Sequence, residues 1–251
     1  MKTLIVIPAR LASTRLPKKL LLNETGKPLI QHTYEAAQQS KLADDLLVAA
    51  DDPEIVQTVQ GFGGKVELTD REHASGTDRL AEIALRHPDV DIFVNVQGDE
   101  PEIDWQDIDL AIQLLTQHAA DSHMSTLAVP ISDVQRITDP ACVKVVFDQQ
   151  GRAMYFSRSP IPFPRDGFDS SMAATQGYLY FQHVGLYVYR RNTLLELTRT
   201  PRSGCEVAES LEQLRALDLG KTIRVGITEN SSRGIDTSED YQAFVSRQAN
   251  C

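Results

Sequence analysis

The sequence predicts an α/β fold, with a mixed, mainly parallel sheet, helices on both faces and a small antiparallel subdomain. Three observations carry this. Short, β-branched apolar runs at Thr3–Ile7, Asp45–Ala50 and Asp91–Val96 read as strands buried on both faces. Segments of helical period separate the early strands, so the first half alternates β-α-β-α-β. The alternation then breaks at Val143–Phe147 and Arg152–Phe156, which flank Asp148-Gln149-Gln150-Gly151 and read as a hairpin.

The remaining elements follow in order. Pro8 is expected to stop the first strand, and a loop of Arg10, Ser13, Thr14, Arg15, Lys18 and Lys19 comes next. Leu29 to Lys41 is an amphipathic helix with Ile30, Tyr34 and Ala37 on one face. Asp51-Asp52-Pro53 caps a helix over Glu54–Gln60, and Lys65–Leu68 is a short strand. Thr77 or Asp78 caps a helix running to Arg86, Asp104–His118 is another helix, and Ser125–Ile131 another strand. His183–Tyr189 alternates, which sets His183, Gly185, Tyr187 and Tyr189 on one face. Cys205–Leu217 reads as one helix, Lys221–Ile227 as a strand, and Ser238 as the cap of the last helix. The polar stretch Arg165–Gln176 is expected to be mobile.

Composition narrows the class. At 251 residues the expectation is a single domain over 1–251, with the antiparallel subdomain at about 130–200. A formal net charge of -10 argues against a nucleic-acid partner, which would want a basic face. No apolar run approaches the roughly 20 residues that span a bilayer, so no membrane insertion is expected. The chain enters a strand at once, without a signal-peptide pattern, and its 3 cysteines are too scattered for a disulfide framework. A reducing, cytoplasmic setting follows as the expectation.

Against that acidic background the Arg10–Lys19 loop is locally cationic, with no Asp or Glu before Glu24. A solvated basic loop is the competing reading. Its place directly after a buried strand, together with Ser13 and Thr14, favours a bound polyphosphate. It lacks the G-x-x-x-x-G-K-[ST] of a Walker A loop, and the only Gly-Lys-Thr in the chain, Gly220-Lys221-Thr222, has Arg215 where the first glycine belongs. Nor is it a dinucleotide fingerprint, because Gly61-Phe62-Gly63-Gly64 ends on Val66 and precedes a strand. Asp99, just past the third buried run, has the position and the hard oxygen chemistry for Mg²⁺, with an ordinary acidic turn as the alternative. Tyr187 and Tyr189 suit either a core or a polar ligand.

Ile7–Lys19, reading IPARLASTRLPKK, resembles the R-x-x-S-[ST]-R-L-P-x-K signature of sugar nucleotidyltransferases, and among them the 3-deoxy-manno-octulosonate cytidylyltransferases. That family has Gly-Lys where this chain has Lys18-Lys19, so Lys19 matches the family lysine and Lys18 is a departure. Further matches are His73–Arg79 (HASGTDR), Gln97–Pro101 (QGDEP), His183–Tyr187 (HVGLY), Glu209–Arg215 (ESLEQLR) and Gly234–Thr237 (GIDT). They stand in the family's order and cover essentially the whole chain.

The resemblance implies a Rossmann-like, nucleotide-diphospho-sugar transferase fold and transfer of CMP from CTP to the octulosonate, an acidic eight-carbon sugar, for lipopolysaccharide biosynthesis. It implies Arg10, Ser13, Thr14, Arg15, Lys19, Ser75, Gly76 and Gln97 at the nucleotide, with Arg10, Arg15, Lys19 and Asp99 catalytic. It implies Asp99 and Asp236 as Mg²⁺ ligands, Gln97, Arg158, His183, Tyr187, Glu212 and Gln213 at the sugar, and a homodimer. His73 reads as a loop residue. A cytidylyltransferase for another sugar acid, or a nucleotide-binding module without catalysis, are the alternatives.

Overall fold

The structure, a computed structural model, describes residues 1–165, 180–229 and 234–249. The expected mobile stretch therefore lies, from residue 166 onward, outside the described residues. Two compact units make up the chain: Met1–Asp109 with Arg190–Thr198 and Ser232–Cys251, and Leu110–Tyr189 with Arg199–Ser231.

The first unit holds β1 (Thr3–Ala9), α1 (Leu29–Ala37), β2 (Asp45–Ala50), α2 (Pro53–Gly61), β3 (Val66–Leu68), α3 (Gly76–Arg86) and β4 (Ile92–Asn95). Its strands lie in the order β3-β2-β1-β4, and every pairing within it is parallel. The chain steps outward from β1 to β3, then returns through α3 to the other side of β1. Right-handed crossovers put α3 on the opposite face from α1 and α2. The strand order thus reverses between β1 and β4, the switch point beyond whose carboxyl ends open α/β sheets bind their ligands. Strands covered on both faces need apolar residues throughout, and Leu4, Ile5, Val6, Ile7, Phe93 and Val94 are all buried. Helix α6 (Arg191–Arg199), absent from the sequence-based expectation, joins this unit through Arg191 N, which donates to Asp91 O at 2.9 Å.

In the second unit β5 (Met124–Pro130) pairs parallel with β9 (Ile223–Ile227) and antiparallel with β8 (Phe181–Arg190). The expected hairpin forms from β6 (Lys144–Phe147) and β7 (Ala153–Ser157), and β6 meets β8 at Lys144 and Gln182. Asp148 Oδ1 accepts from Gln150 N and Arg152 N, and Gly151 takes the positive φ of 73° that closes the turn. A short helix, α5 (Val134–Thr138), buries Ile137 with Ile131, Cys142 and Tyr180. The helix α4 (Trp105–Gln117) begins within the first unit's residues and ends within the second's.

Several boundaries correct the sequence reading. Pro8 does not stop β1; it lies inside the strand, in register with Ala49, where the missing N–H is tolerated at the strand's last turn of pleat. Helix α1 ends at Ala37, short of Lys41, as the Asp109 carboxylate captures the amides of Lys41 and Leu42. Ser75, upstream of both Thr77 and Asp78, caps α3, with Asp78 closing a reciprocal capping box. Likewise Thr237, with Asp240, caps α9 (Ser238–Gln248) in place of Ser238. The stretch Cys205–Leu217 is two helices, α7 (Gly204–Glu209) and α8 (Gln213–Asp218), broken where Ser210 adopts a left-handed φ of 52°. Within α7, Glu206 is buried and paired with Arg215.

Candidate active site

In the first unit, the Arg10–Lys19 loop is tied down at both ends. Asp51, directly after β2, accepts from Leu11 N at 2.8 Å through Oδ1 and donates its own N–H to Ala9 O at 3.1 Å. At the far end Lys18 sits in left-handed conformation, with φ 51°. That twist separates the two lysines. Lys18 Nζ turns out to solvent and donates to both Glu54 carboxylate oxygens, at 2.8 and 2.7 Å. Lys19 opens a 3-10 turn over Lys19–Leu21 and is only 9% exposed.

Lys19 Nζ lies 2.6 Å from Asp99 Oδ2 and 3.2 Å from Asp236 Oδ1. Arg15 Nη2 approaches the same Asp236 oxygen at 2.9 Å. Two backbone features bring these sequence-distant acids together. Gly98, past the end of β4, packs so close to β1 that a Cβ there would lie 3.0 Å from Pro8 O and 3.3 Å from Ile30 Cδ1. Thr33 Oγ1 donates to Gly98 O at 2.9 Å and holds it in place. Next door, Asp99 O accepts from Ile235 N at 2.9 Å, which seats Asp236 beside Asp99. Gln97, half-buried, begins the same turn.

Two guanidinium groups complete this end of the unit. Arg10 is half-buried and its Nη2 is buried without a partner among the described residues. Arg79, on the first turn of α3, is fully buried. Its Nη1 donates to Thr69 Oγ1 and, at 3.1 Å, to Asp70 O, while Nη2 stands 3.9 Å from Asp51 Oδ2. Burial pulls its pKa down, against the opposing pull of Asp51. Arg79 Nε and Nη2 have no hydrogen-bond partner among the described residues, and buried donors left unpaired are costly unless a ligand meets them. Ser75 Oγ accepts from Asp78 N at 3.1 Å, and Gly76 backs onto Pro8, with room for a Cβ at 3.6 Å from Pro8 Cγ. Ser13 is half-buried and Thr14 exposed. Sequence reasoning singled out neither Asp51 nor Arg79. Asp51 carries the signal that marked Asp99, an acid directly after a buried strand, and Arg79 closes the matched HASGTDR stretch.

The second unit gathers the other candidates. On β8, the register slips from Thr126–Tyr187 to Leu127–Val184, so a bulge at Gly185-Leu186 interrupts the simple alternation. The bulge shortens the strand, and the His183 and Tyr187 rings stand 5.2 Å apart, with Tyr189 5.9 Å beyond and Phe156 edge-on to His183 at 5.0 Å. Thr126 Oγ1 lies 2.8 Å from Leu186 O, 3.0 Å from Val184 O and 2.9 Å from His183 Nε2. The hydroxyl has one proton to give to a carbonyl, so it accepts from His183 Nε2–H. Burial lowers the His183 pKa to about 3, which keeps the ring neutral, and leaves Nδ1 as an acceptor. Burial, then Tyr189 and Glu212, raises the Tyr187 pKa well above its ordinary value, so the phenol stays protonated.

The break between α7 and α8 puts Glu212 at the start of α8 and buries Gln213, whose Nε2 has no partner among the described residues. Arg158 follows β7; its Nε donates to Glu209 O at 2.7 Å and its Nη1 to Pro140 O at 3.0 Å. Nη2 alone makes no hydrogen bond among the described residues. The site candidates therefore fall into two sets, each within one unit: Arg10, Ser13, Thr14, Arg15, Lys19, Ser75, Gly76, Gln97, Asp99 and Asp236 in the first, the rest in the second.

Cations and two converging carboxylates thus gather beyond the carboxyl ends of a parallel sheet at its switch point, where open α/β sheets bind their ligands. Residues 4–223 match the cytidylyltransferase family. The 3-deoxy-manno-octulosonate cytidylyltransferase of Rhodopirellula baltica is 50% identical over 247 residues, covering 98% of either chain. That of Geobacter sulfurreducens is 48% identical, covering 96% of this chain and 97% of its own. A solved CMP:2-keto-3-deoxy-manno-octonic acid synthetase complexed with CTP superposes with a TM-score of 0.92 at 42% identity, over 100% of this chain and 99% of its own. A 4-diphosphocytidyl-2C-methyl-D-erythritol synthase, 12% identical with a TM-score of 0.62 over 97% of this chain and 96% of its own, shares the fold. The chain belongs to the 3-deoxy-manno-octulosonate cytidylyltransferase family.

Proposed function

We propose that the chain transfers CMP from CTP to the anomeric hydroxyl of 3-deoxy-D-manno-octulosonate and releases pyrophosphate, supplying activated sugar for lipopolysaccharide. The observation that carries the reading is the cluster of Lys19, Arg15, Asp99 and Asp236 at the switch point of a chain of this family. An anionic sugar acid must meet a polyanionic nucleotide, so cations have to neutralise the phosphates first. Arg10, Arg15 and Lys19 bind the triphosphate and stabilise the charge that builds on the departing pyrophosphate. Ser13, Thr14, Ser75, Gly76 and Gln97 orient the nucleotide.

Mg²⁺ fits the donor set. Asp99 and Asp236 already converge on one cation, Lys19 Nζ, and together offer hard carboxylate oxygens. Mg²⁺ is usually held by one or two carboxylates and completes its shell with substrate phosphates and water. When bound, the ion supplies Lewis-acid polarisation of the phosphoryl oxygens.

In the second unit, Arg158 meets the sugar carboxylate through Nη2, His183 accepts a sugar hydroxyl at Nδ1, and Gln213 Nε2 gains the acceptor it lacks. Tyr187 and Glu212 complete the polar lining. The anomeric oxygen then bonds to the α-phosphorus as the bond to the pyrophosphate oxygen breaks, and the hydroxyl proton leaves to solvent. Positioning and electrostatics supply most of the catalysis.

We further infer a homodimer in the cytoplasm. Support for the dimer is β7, whose only ladder partner among the described strands is β6, and whose Met154 is 66% exposed. No helix among the described residues is long and apolar enough to cross a membrane. A CTP-dependent pyrophosphate-release screen of sugar acids tests the function. Turnover with the octulosonate well above that with sialic acid or amino-substituted octulosonates is expected. Preference for another sugar acid would move the substrate, and no pyrophosphate with any of them would leave a nucleotide-binding module.

A further inference from the structure

Lys144, the first residue of β6, is a fully buried lysine outside every role assigned above. Its Nζ donates to three main-chain carbonyls, Asp139 O at 2.9 Å, Cys142 O at 2.6 Å and Arg158 O at 2.6 Å. Three acceptors satisfy the three ammonium protons, no carboxylate among the described residues forms an ion pair with it, and burial pulls its pKa down against the opposing pull of Asp139 and Glu209. An apolar side chain would fill the same volume without the desolvation cost, so the charge is explained by the conformation it fixes.

What it fixes is Arg158. Lys144 holds the Arg158 carbonyl, and it also pins the 139–142 turn, whose Pro140 O receives Arg158 Nη1. Glu209 grips the other side. Its Oε1 accepts from Ser157 Oγ at 2.6 Å, its Oε2 from Arg158 N at 2.9 Å, and its carbonyl from Arg158 Nε at 2.7 Å. Arg158 is thereby fastened at N, O, Nε and Nη1, which leaves Nη2 as the donor that meets nothing in the described protein.

We propose that Lys144 and Glu209 are positioning residues, a two-sided clamp that aims Arg158 Nη2 at the carboxylate of the sugar acid. This rests on the proposed function. Guanidinium recognition of a carboxylate depends on a fixed plane, so slack in the arginine weakens binding of the acid without touching the nucleotide.

The test is steady-state kinetics of Glu209→Ala, Glu209→Gln and Lys144→Met. Loss of a hydrogen bond to a charged group predicts a sugar KM about ten-fold higher in Glu209→Ala and Lys144→Met, with the CTP KM within about two-fold of wild type. Glu209→Gln should recover most of the loss, since the Ser157 hydroxyl can reverse and accept from the amide. In an Arg158→Lys background, Glu209→Ala should add little, because the group it aims is gone. A full additive penalty there, equal rises in both KM values, or an unchanged sugar KM in both alanine and methionine variants would overturn the clamp. Should Lys144→Met fail to fold, the Glu209 pair and the double variant decide alone. If the wild type makes no pyrophosphate with the octulosonate, the functional reading fails first. Amide exchange then reads the clamp: exchange at Arg158 N about ten-fold faster in Glu209→Ala supports it, and unchanged exchange refutes it.

Discussion

Lys19 Nζ stands 2.6 Å from Asp99 Oδ2 while also reaching Asp236 Oδ1 at 3.2 Å, so one buried ammonium joins two carboxylates that lie 137 residues apart in the chain. In the ligand-free protein the lysine supplies the positive charge that keeps the acids together. A divalent cation held by the same carboxylates would compete with Lys19 for them.

Lys19→Ala is therefore expected to act in opposite directions on two ligands. Without CTP, Mn²⁺ binding followed by its paramagnetic resonance signal should tighten, since the acids lose their internal cation. Turnover should fall by about 10²-fold, as for removal of an electrostatic donor at a transferring phosphoryl group. Lys18→Ala, which releases only Glu54 at the surface, should change either quantity less than about two-fold. A Lys18 variant more damaged than the Lys19 variant would mean that the loop is read one residue out of register.

Asp99→Ala and Asp236→Ala should each leave the fold intact and remove most turnover, by about 10²-fold or more, with partial recovery at high Mg²⁺. Asp236→Ala also frees Arg15, so its CTP KM should change as well. Rates like the wild type at low Mg²⁺ in both variants would remove these carboxylates from metal binding.

Gly98→Ala tests how the acid is aimed. A methyl group there meets Pro8 O at 3.0 Å, a backbone atom inside β1 that cannot swing aside. Relief must come from the turn that carries Asp99. Overpacking of this kind predicts a stability loss of about 1–3 kcal/mol, and turnover should drop with the displaced carboxylate. A variant with full activity and an unchanged melting temperature would show that the close approach is not what fixes Asp99.

Much of this site was legible because its signals are local. Thr3–Ile7 followed by cations, and Asp91–Val96 followed by an acid, are strand-then-ligand patterns readable within a dozen residues. The convergence of Asp99 and Asp236 rests on the close approach of Gly98 to β1, the backbone bond from Ile235 N to Asp99 O and the shared Lys19, which no spacing announces; only the family resemblance paired them. Nothing in the sequence marked Lys144, a polar residue inside the expected strand Val143–Phe147, since its burial depends on carbonyls 2, 5 and 14 residues away. The β8 bulge was invisible for a related reason. An alternating HVGLYVY pattern fits a regular strand equally well, and the slip is set by Thr126 on the partner, whose hydroxyl binds where the bulge opens. Ser210 hid the break between α7 and α8, because a left-handed serine leaves no compositional mark.

The buried histidine gives a pH prediction with a definite sign. His183 has its pKa lowered from 6.5 to about 3 in the fold by desolvation, whereas the unfolded chain protonates it near the ordinary value. Well above pH 6.5 neither state holds the proton, and stability is at its full value. Below that the unfolded state gains a proton that the native state refuses, so stability falls as pH drops toward about 3. The slope approaches about 1.4 kcal/mol per pH unit for one such group. His183→Asn keeps an N–H for Thr126 and removes the titration, so its melting temperature should decline less than that of the wild type between pH 6.5 and pH 4. The curves should run parallel above pH 7.5, offset only by the packing lost against Phe156 and Tyr187. Because the ring is neutral throughout, the pH–rate profile of the wild type should carry no His183 step between pH 5 and 8. Parallel stability curves down to pH 4 would place the His183 pKa near its unperturbed value and make the imidazole of the proposed sugar site a charged one in acid.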